Sequence, residues 1–298
     1  INHQGSQKIL TELLEEAKSS GCDYAKIQTY SENSRVSNVA KSAKYADKTL
    51  DMEENLNEMF ERLRLSEKDH DTVFQWSKQN NFPIISTAFD EASCELLMKY
   101  NPDAFKIASF DSVNLPLIKF VASKRKPIIL STGMANISEI IKAIEIARKA
   151  NCVDLSLLHC VSGYPTPQNQ CNLKALDTLR QIDSNIKVGW ADHSKSPIVL
   201  NRVINYWHAD IIEFHLDLDG KGDEFKSGHC WLPDEISKII DYTKSFNLID
   251  GDGNKEPLLI EKDERFWRAD PSDGLRPLKS FLFTPDGSLI LPAQILEA

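Results

Sequence analysis

Short apolar runs alternate with longer stretches of helical periodicity along most of the chain. Strands are predicted at residues 24–29, 82–87, 104–107, 127–131 and 155–160. Helices are predicted at residues 7–20, 56–65, 67–80, 91–100, 115–123, 137–150, 173–182 and 233–246. Such regular alternation is typical of an α/β fold built on a parallel sheet.

One stretch, residues 187–217, repeats this unit with a histidine at the same place in each half. The first apolar run leads to His193, the second contains His215, and the spacer 197–208 has the length and pattern of a covering helix. Neighbouring parallel strands lie about 4.8 Å apart. The two imidazoles are therefore predicted to meet and to suit a divalent metal such as Mn²⁺ or Zn²⁺. The alternative is that each is an ordinary loop histidine.

The number of strand–helix units predicts the architecture. A helix as early as residues 7–20 needs a strand before it if the pattern is regular, and we expect that strand upstream of Ile1. Counting it gives eight units, the number that closes a (β/α)8 TIM barrel. An open doubly wound sheet is the alternative, although no glycine-rich phosphate loop follows any strand. The predicted domains are a barrel over residues 1–246 and an irregular C-terminal extension over residues 247–298, where glycines and prolines recur.

Composition and charge narrow the class of protein. The chain has 298 residues, of which 41% are hydrophobic and 27% charged, as in ordinary soluble proteins. No apolar run approaches the roughly 20 residues that cross a bilayer. The net charge of −9 argues against a nucleic-acid surface. Six cysteines without a C-x-x-C pair indicate reduced thiols, so we expect a cytoplasmic protein that binds neither membranes nor nucleic acid. The polar segment from Ser31 to Met52 is predicted as a mobile loop above the barrel mouth.

Every predicted strand ends in polar residues, which is where a barrel of this kind carries its chemistry. The candidates at these ends are Lys26, Gln28, Thr87, Lys106, Ser109, Asp111, Ser131, Ser162, Tyr164 and Glu213. Lys26 and Lys106 lie within apolar strands, where a lysine is costly to bury without a counter-charge. A bound phosphate or carboxylate would supply that charge. Pairing with a nearby acid, or a Schiff-base lysine, are the alternatives.

The remaining acids and histidines divide into candidates and structural residues. Asp111 and Glu213 are candidates for proton transfer or water activation, or else partners of the lysines. His159 is predicted as a neutral, hydrogen-bonded histidine inside the barrel. His3 and His229 are weaker functional candidates, while His70 and His208 are predicted as surface or helix residues.

Nine short words appear in an order that resembles the sialic acid synthase family. They are Asn2–Ser6, Ala25–Thr29, Ile85–Phe89, Phe105–Ser109, Leu130–Met134, Leu158–Cys160, Tyr164–Pro167, Gly189–His193 and Glu213–His215. No single word is specific, but the nine together are. The likeness spans roughly Ile1 to Ile240.

The resemblance implies a TIM barrel that condenses phosphoenolpyruvate with an N-acylated hexosamine, such as N-acetylmannosamine or a related 6-deoxy sugar. The products would be a nine-carbon 2-keto sugar acid and phosphate. A divalent metal, typically Mn²⁺ with Mg²⁺ or Co²⁺ as alternatives, would be held by His193 and His215 and would polarise the sugar aldehyde. A homodimer is a weaker expectation.

The resemblance also implies individual roles. The residues expected beside phosphoenolpyruvate are Lys26, Thr87, Lys106, Ser109 and Ser131. Gln28 and Tyr164 would line the site, Ser162 is compatible with the family pattern, Asp111 would manage the attacking water, and Asp223 would lie near the sugar.

Three departures from the family pattern leave alternatives open. Gln4 stands where the family often has Glu, and Ala191 where it often has Ser. The C-terminal extension replaces the usual antifreeze-like domain. A Schiff-base pyruvate aldolase and a non-catalytic sugar-binding relative are therefore the competing functions.

Overall fold

A computed structural model describes residues 2–32, 34–37 and 55–279 of the chain. The chain divides into two compact units, residues 1–245 and 246–298. In the described part of the first unit, seven strands form one parallel sheet in the order of the sequence. They are β1 (Ala25–Thr29), β2 (Ile84–Ala88), β3 (Phe105–Ile107), β4 (Ile128–Ser131), β5 (Leu155–Cys160), β6 (Lys187–Asp192) and β7 (Ile212–Phe214). The predicted α/β fold on a parallel sheet is confirmed.

A helix lies at every segment where the periodicity predicts one, and two short helices, at 223–226 and 262–266, were not predicted. The helices are α1 (Gln7–Ser19), α2 (Leu56–Arg62), α3 (Glu67–Asn80), α4 (Glu91–Met98), α5 (Leu115–Ser123), α6 (Ile137–Lys149), α7 (Ala175–Arg180), α8 (Pro197–Asn205), α9 (Asp223–Lys226), α10 (Pro233–Asp250) and α11 (Lys262–Phe266). Local capping sets several starts. Ser66 and Asp69 form a reciprocal capping box at α3, as Asn136 and Glu139 do at α6.

The sheet curls until side chains from its two edge strands meet. Lys26 Nζ on β1 lies 3.9 Å from Glu213 Oε1 on β7. Elsewhere these edges are separated by a cavity of about 890 Å³. Apolar side chains of α1, α10, β1 and β7 contribute to its walls, among them Leu10, Leu14, Ile27, Ile212, Phe214 and Ile240. An eighth strand at this gap stays a prediction.

The second unit is described as far as residue 279. It contains a 3₁₀ turn at Leu259–Glu261, helix α11 and a loop organised by Asp270. The Asp270 carboxylate accepts hydrogen bonds from the backbone of Ser272 and Lys279, both within about 3 Å. The predicted extension beyond residue 279, and residues 33 and 38–52 of the predicted loop, lie outside the described residues. Among the helices that are described, none has the length and apolar character needed to span a membrane.

His70 lies on α3, as predicted for a surface or helix residue, and it is buried there. Its Nδ1 donates to the Ser66 carbonyl at 2.8 Å, and its Nε2 accepts from Thr29 Oγ1 at 2.8 Å. The ring is 0% exposed on α3, and burial lowers its pKa. The ring is therefore neutral in the folded protein.

The buried His70 predicts a loss of stability in mild acid. Below about pH 6.5 the unfolded chain takes up a proton that the folded ring resists. As the pH falls, this histidine should therefore lower the free energy of unfolding by up to about 1.4 kcal/mol per pH unit. Urea unfolding at pH 7.5 and 5.5 should show a smaller loss for His70→Gln than for the natural protein. His208→Asn, at an exposed position with positive φ, is the control and should behave like the natural protein.

Candidate active site

A buried aspartate fixes the end of β6, from which the first candidate histidine projects. Asp192 Oδ1 accepts from the Trp190 indole at 3.0 Å, and Oδ2 accepts from the Trp231 indole at 2.9 Å. The backbone N–H groups of Ser194 and Lys195 also donate to this carboxylate. Since both tryptophans are buried, this hydrogen-bond network fixes the backbone conformation at His193.

His193 presents one uncommitted ring nitrogen to the site. Its Nδ1 lies 2.9 Å from the Val161 carbonyl, which can only accept, so Nδ1 carries the proton. Burial, with the neighbouring His215, lowers the pKa of His193 to about 4. The neutral ring therefore keeps a lone pair on Nε2, the form that binds metals. The Tyr164 ring packs on it at 4.4 Å between centroids.

His215 follows β7 and meets His193 across the gap between neighbouring strands. The two ring centroids lie 5.3 Å apart. His215 Nδ1 lies 3.2 Å from Glu224 Oε2, a carboxylate–histidine contact of the kind that orients metal ligands. Although burial alone would raise the pKa of Glu224, His215 holds it well below its usual range. The donor set of two oriented imidazoles fits a divalent cation.

A lysine–glutamate cluster lies beside the histidines. Lys106 Nζ donates to Ser131 Oγ at 2.6 Å and to the Ile107 carbonyl at 2.8 Å. It also lies 3.8 Å from Glu213, which Lys26 approaches from the other side. Burial lowers the pKa of Lys106, while the two lysines hold that of Glu213 below its usual range. Glu213 thus supplies the counter-charge, so the two lysines can be buried without a bound anion.

The net charge of this cluster still favours an anion. Two ammonium groups face one carboxylate, which leaves one positive charge in excess. Gln28 and Thr87 are register partners on β1 and β2, and Thr87 in turn pairs with Lys106 on β3. These three side chains therefore belong to one row across the sheet, with the Lys106 ammonium at its end.

Two serine hydroxyls and a thiol pack closely around Gly133, in the turn after β4. The Gly133 N–H donates to Ser109 Oγ at 3.1 Å. A Cβ at this position would lie 2.7 Å from Ser162 Oγ, 2.8 Å from Ser109 Oγ and 3.2 Å from Cys160 Sγ. Any side chain at this position would therefore collide with these groups. Glycine allows them to lie close together.

Asp111, in the turn after β3, has an electrostatic partner that the sequence did not indicate. Burial raises the pKa of Asp111, while Asn114 donates to its Oδ1 at 3.4 Å. Arg35 interacts electrostatically with Asp111 and stacks over Phe89, 3.4 Å from the ring centroid. A single arginine in a polar loop gives no signal of this placement.

Other candidates divide clearly. His159 is buried and hydrogen-bonded to the Cys171 carbonyl at 2.9 Å, and burial lowers its pKa, as predicted for a neutral histidine. His3 is buried beside the cavity, and burial lowers its pKa to about 4. Asp223 begins α9 and pairs with Lys226 at 2.8 Å, with its side chain about half exposed. The structure does not place Asp223 in contact with the other candidates.

Sequence reasoning missed two donors close to His215. Glu224, His229 and Cys230 lie with His215 in one cluster whose ligand atoms are all within 4.8 Å of one another. The only signal in the sequence is the compact Gly228–Cys230 run before Trp231. His229 was a weak candidate, whereas Glu224 and Cys230 were not singled out.

Comparison with known proteins identifies the family. A sequence profile described as the NeuB family matches residues 13–255. The chain belongs to the NeuB family. The resemblance to sialic acid synthases drawn from the nine words is thereby confirmed.

This NeuB-family chain is similar to other proteins over most of its length. An uncharacterized protein of Methanocaldococcus jannaschii is 36% identical over 264 residues, which is 88% of this chain and 73% of that protein. The N,N'-diacetyllegionaminic acid synthase of Campylobacter jejuni is 34% identical over 266 residues, covering 88% and 78%. The crystal structure of a Leptospira borgpetersenii N-acetylneuraminic acid synthetase in complex with citrate superposes with a TM-score of 0.69 at 27% identity, covering 88% and 86%.

Proposed function

We propose that this protein condenses phosphoenolpyruvate with an N-acylated hexosamine to give a nine-carbon 2-keto sugar acid and phosphate. The observation that carries the proposal is the approach of His193 and His215, whose ring centroids lie 5.3 Å apart. These rings lie beside the cluster of Lys26, Lys106 and Glu213. A cation site next to a positively charged pocket suits a reaction between an aldehyde and an anionic enol phosphate. Membership of the NeuB family supports the same reaction type.

A divalent ion, Mn²⁺ with Mg²⁺ or Co²⁺ as alternatives, would be held by His193 and His215 and would supply Lewis-acid polarisation of the sugar aldehyde. The protein's own residues bind and orient the reactants. Lys106 and Lys26 attract the anionic groups of phosphoenolpyruvate, with Thr87, Ser109 and Ser131 as hydroxyl donors. Gln28, Ser162 and Tyr164 line the remaining wall, and Asp223 belongs to the loop expected near the sugar.

The bond changes balance without a further reactant. Carbon 3 of phosphoenolpyruvate bonds to the aldehyde carbon, whose oxygen takes up a proton and becomes a hydroxyl group, and water adds to carbon 2 with loss of a proton. The bond from carbon 2 to the bridging oxygen then breaks, so phosphate leaves with that oxygen. Asp111 accepts the proton of the attacking water, and a pKa raised by burial suits a base that works near neutral pH.

The same proposal includes the closed barrel. An eighth parallel strand between β7 and β1 would pair with both edges and fill the apolar cavity of about 890 Å³. The curl that brings Lys26 to Glu213 supports this closure. A homodimer, expected from the resemblance, stays a prediction that light scattering would measure.

The sugar specificity is tested by a panel of acceptors. N-acetylmannosamine, its 6-deoxy diacetamido relatives and their phosphates are incubated with phosphoenolpyruvate, Mn²⁺ and the protein. We expect one class of acceptor to give a product heavier by the three-carbon keto acid unit, detected by mass spectrometry. With phosphoenolpyruvate labelled with ¹⁸O at the bridging position, the label should appear in phosphate.

Two outcomes of this experiment would contradict the proposal. Borohydride trapping of a pyruvate adduct on Lys106 or Lys26 would indicate a Schiff-base aldolase, which needs a neutral amine. Binding of an acceptor without turnover in the complete mixture would indicate a non-catalytic relative.

A further inference from the structure

Arg35, in the loop after β1, is held by three aromatic rings. Its Cζ lies 3.4 Å from the ring centroid of Phe89, 4.9 Å from that of Phe60 and 5.6 Å from that of Tyr30. The Tyr30 ring in turn packs edge-on against both phenylalanine rings. A guanidinium is attracted to the faces of such rings. Tyr30, Phe60 and Phe89 thus form an aromatic frame that fixes the position of one positive charge.

The loop that carries Arg35 is tied to the end of β2 by Asp90. The Asp90 Oδ2 accepts from the Ser31 N–H and from Ser34 Oγ, both at 2.8 Å. Its Oδ1 accepts from the Ser93 N–H at 2.7 Å, at the start of α4. These bonds join the loop after β1 to the turn between β2 and α4. The charge on Arg35 is therefore in place before any substrate binds.

Among the described residues, no carboxylate forms a direct ion pair with Arg35, and its buried Nε has no hydrogen-bond acceptor. Two carboxylates interact with it at longer range. Asp111 has the larger effect, and the oxygens of Asp90 are already engaged by backbone and hydroxyl donors. An arginine keeps its proton in a folded protein. Its positive charge therefore acts mainly on Asp111.

Asp111, in the turn after β3, is a partly buried carboxylate with a weak hydrogen-bond partner. The bond that it accepts from Asn114 is long, at 3.4 Å. Burial raises the pKa of Asp111, while the charges of Arg35 and, to a smaller extent, Lys106 oppose that rise. Lys106 also faces Glu213, at 3.8 Å. Arg35 is thus the larger of the two cationic influences on this carboxylate.

We propose that Arg35 is a positioning residue for Asp111, which it keeps ionised without a direct ion pair. The proposal rests on the condensation proposed above, in which Asp111 accepts the proton of the attacking water. A bidentate ion pair would occupy both carboxylate oxygens. A cation held on an aromatic frame acts through space instead and leaves these oxygens available. The water proton passes to Asp111, and Arg35 keeps its own protons throughout.

Titration of Asp111 followed by nuclear magnetic resonance tests this role on the full chain. The protein is labelled with ¹³C at its aspartate carboxyl carbons, and the Asp111 signal is assigned by its loss in Asp111→Asn. We expect Asp111 to titrate about one pH unit higher in Arg35→Gln than in the natural protein, because a nearby opposite charge favours the ionised form. Arg35→Lys keeps the charge and should restore most of the difference. Arg148→Gln, which removes an exposed ion pair with Asp183, is the matched control and should leave the titration unchanged.

The pH dependence of kcat gives a second readout, with phosphoenolpyruvate, an accepted hexosamine and Mn²⁺. The acid limb should move to higher pH in Arg35→Gln by the same amount, because Asp111 is then protonated at a higher pH. Arg35→Met, whose apolar stem also fits the aromatic frame, is a second neutral variant if Arg35→Gln does not fold.

An Asp111 titration that is unchanged in both neutral variants would overturn the inference. So would an Arg35→Lys titration that differs from the natural one as much as that of Arg35→Gln, because the effect would then not follow the charge. The titration requires no turnover. A failure of the condensation and a failure of the role of Arg35 are therefore seen in separate measurements.

Discussion

Alanine at position 193 or 215 is expected to lower Mn²⁺-dependent phosphate release by at least about 10³-fold in kcat/KM. Each imidazole is one of two candidate ligands whose rings lie 5.3 Å apart. Val161 holds Nδ1 of His193, and Glu224 holds Nδ1 of His215, so each ring has one orientation and one available nitrogen. Removing either leaves a single protein ligand, and Lewis-acid assistance of several kcal/mol is lost.

The histidine prediction has a matched control in His208, an exposed histidine after α8. His208→Asn should keep the natural rate. Circular dichroism of each variant checks that the protein remains folded. Natural activity in His193→Ala and His215→Ala would exclude a cation at this pair.

Replacement of Lys106 by methionine is expected to lower kcat/KM for phosphoenolpyruvate by about 100-fold, equivalent to roughly 3 kcal/mol. The Lys106 side chain is only 3% exposed and donates to Ser131 Oγ at 2.6 Å. Its loss removes one of two positive charges facing Glu213, so the pocket becomes neutral overall. The effect should appear mainly with phosphoenolpyruvate and much less in the KM for the sugar.

Lys26→Met is the comparison for Lys106→Met. The Lys26 side chain is 21% exposed and approaches Glu213 at 3.9 Å, so solvent can replace part of its interaction. We expect a smaller loss than at position 106. Equal turnover of phosphoenolpyruvate by Lys106→Met and the natural protein would contradict an anion-binding role for the buried lysine.

Much of the fold could be predicted because its signals are local. The helix Leu115–Ser123 and the strand Leu155–Cys160 have the predicted bounds, and α3 begins and ends where its capping serine and periodicity place it. Such signals depend on residues a few positions apart. The burial of His70 was not predictable in this way, because it depends on Thr29, 41 positions away.

The candidate site was predictable only where topology alone places its residues. His193 and His215 follow consecutive parallel strands, so their approach required no knowledge of side-chain packing. The pairing of both lysines with Glu213 depends on the curl of the whole sheet, and the sequence left it open. Cys230 lies near His215 only because the loop after β7 folds back, so that the Trp231 N–H donates a hydrogen bond to the His215 carbonyl. No pattern within that loop indicates this path.

The most direct test measures phosphate release by the natural protein from phosphoenolpyruvate and the acceptor panel, with Mn²⁺ or with EDTA. We expect release only when phosphoenolpyruvate, a hexosamine and the divalent ion are all present, and its return when Mn²⁺ is restored after chelation. Release that continues unchanged in EDTA, or that needs no sugar, would contradict a cation held by His193 and His215 as the centre of the reaction.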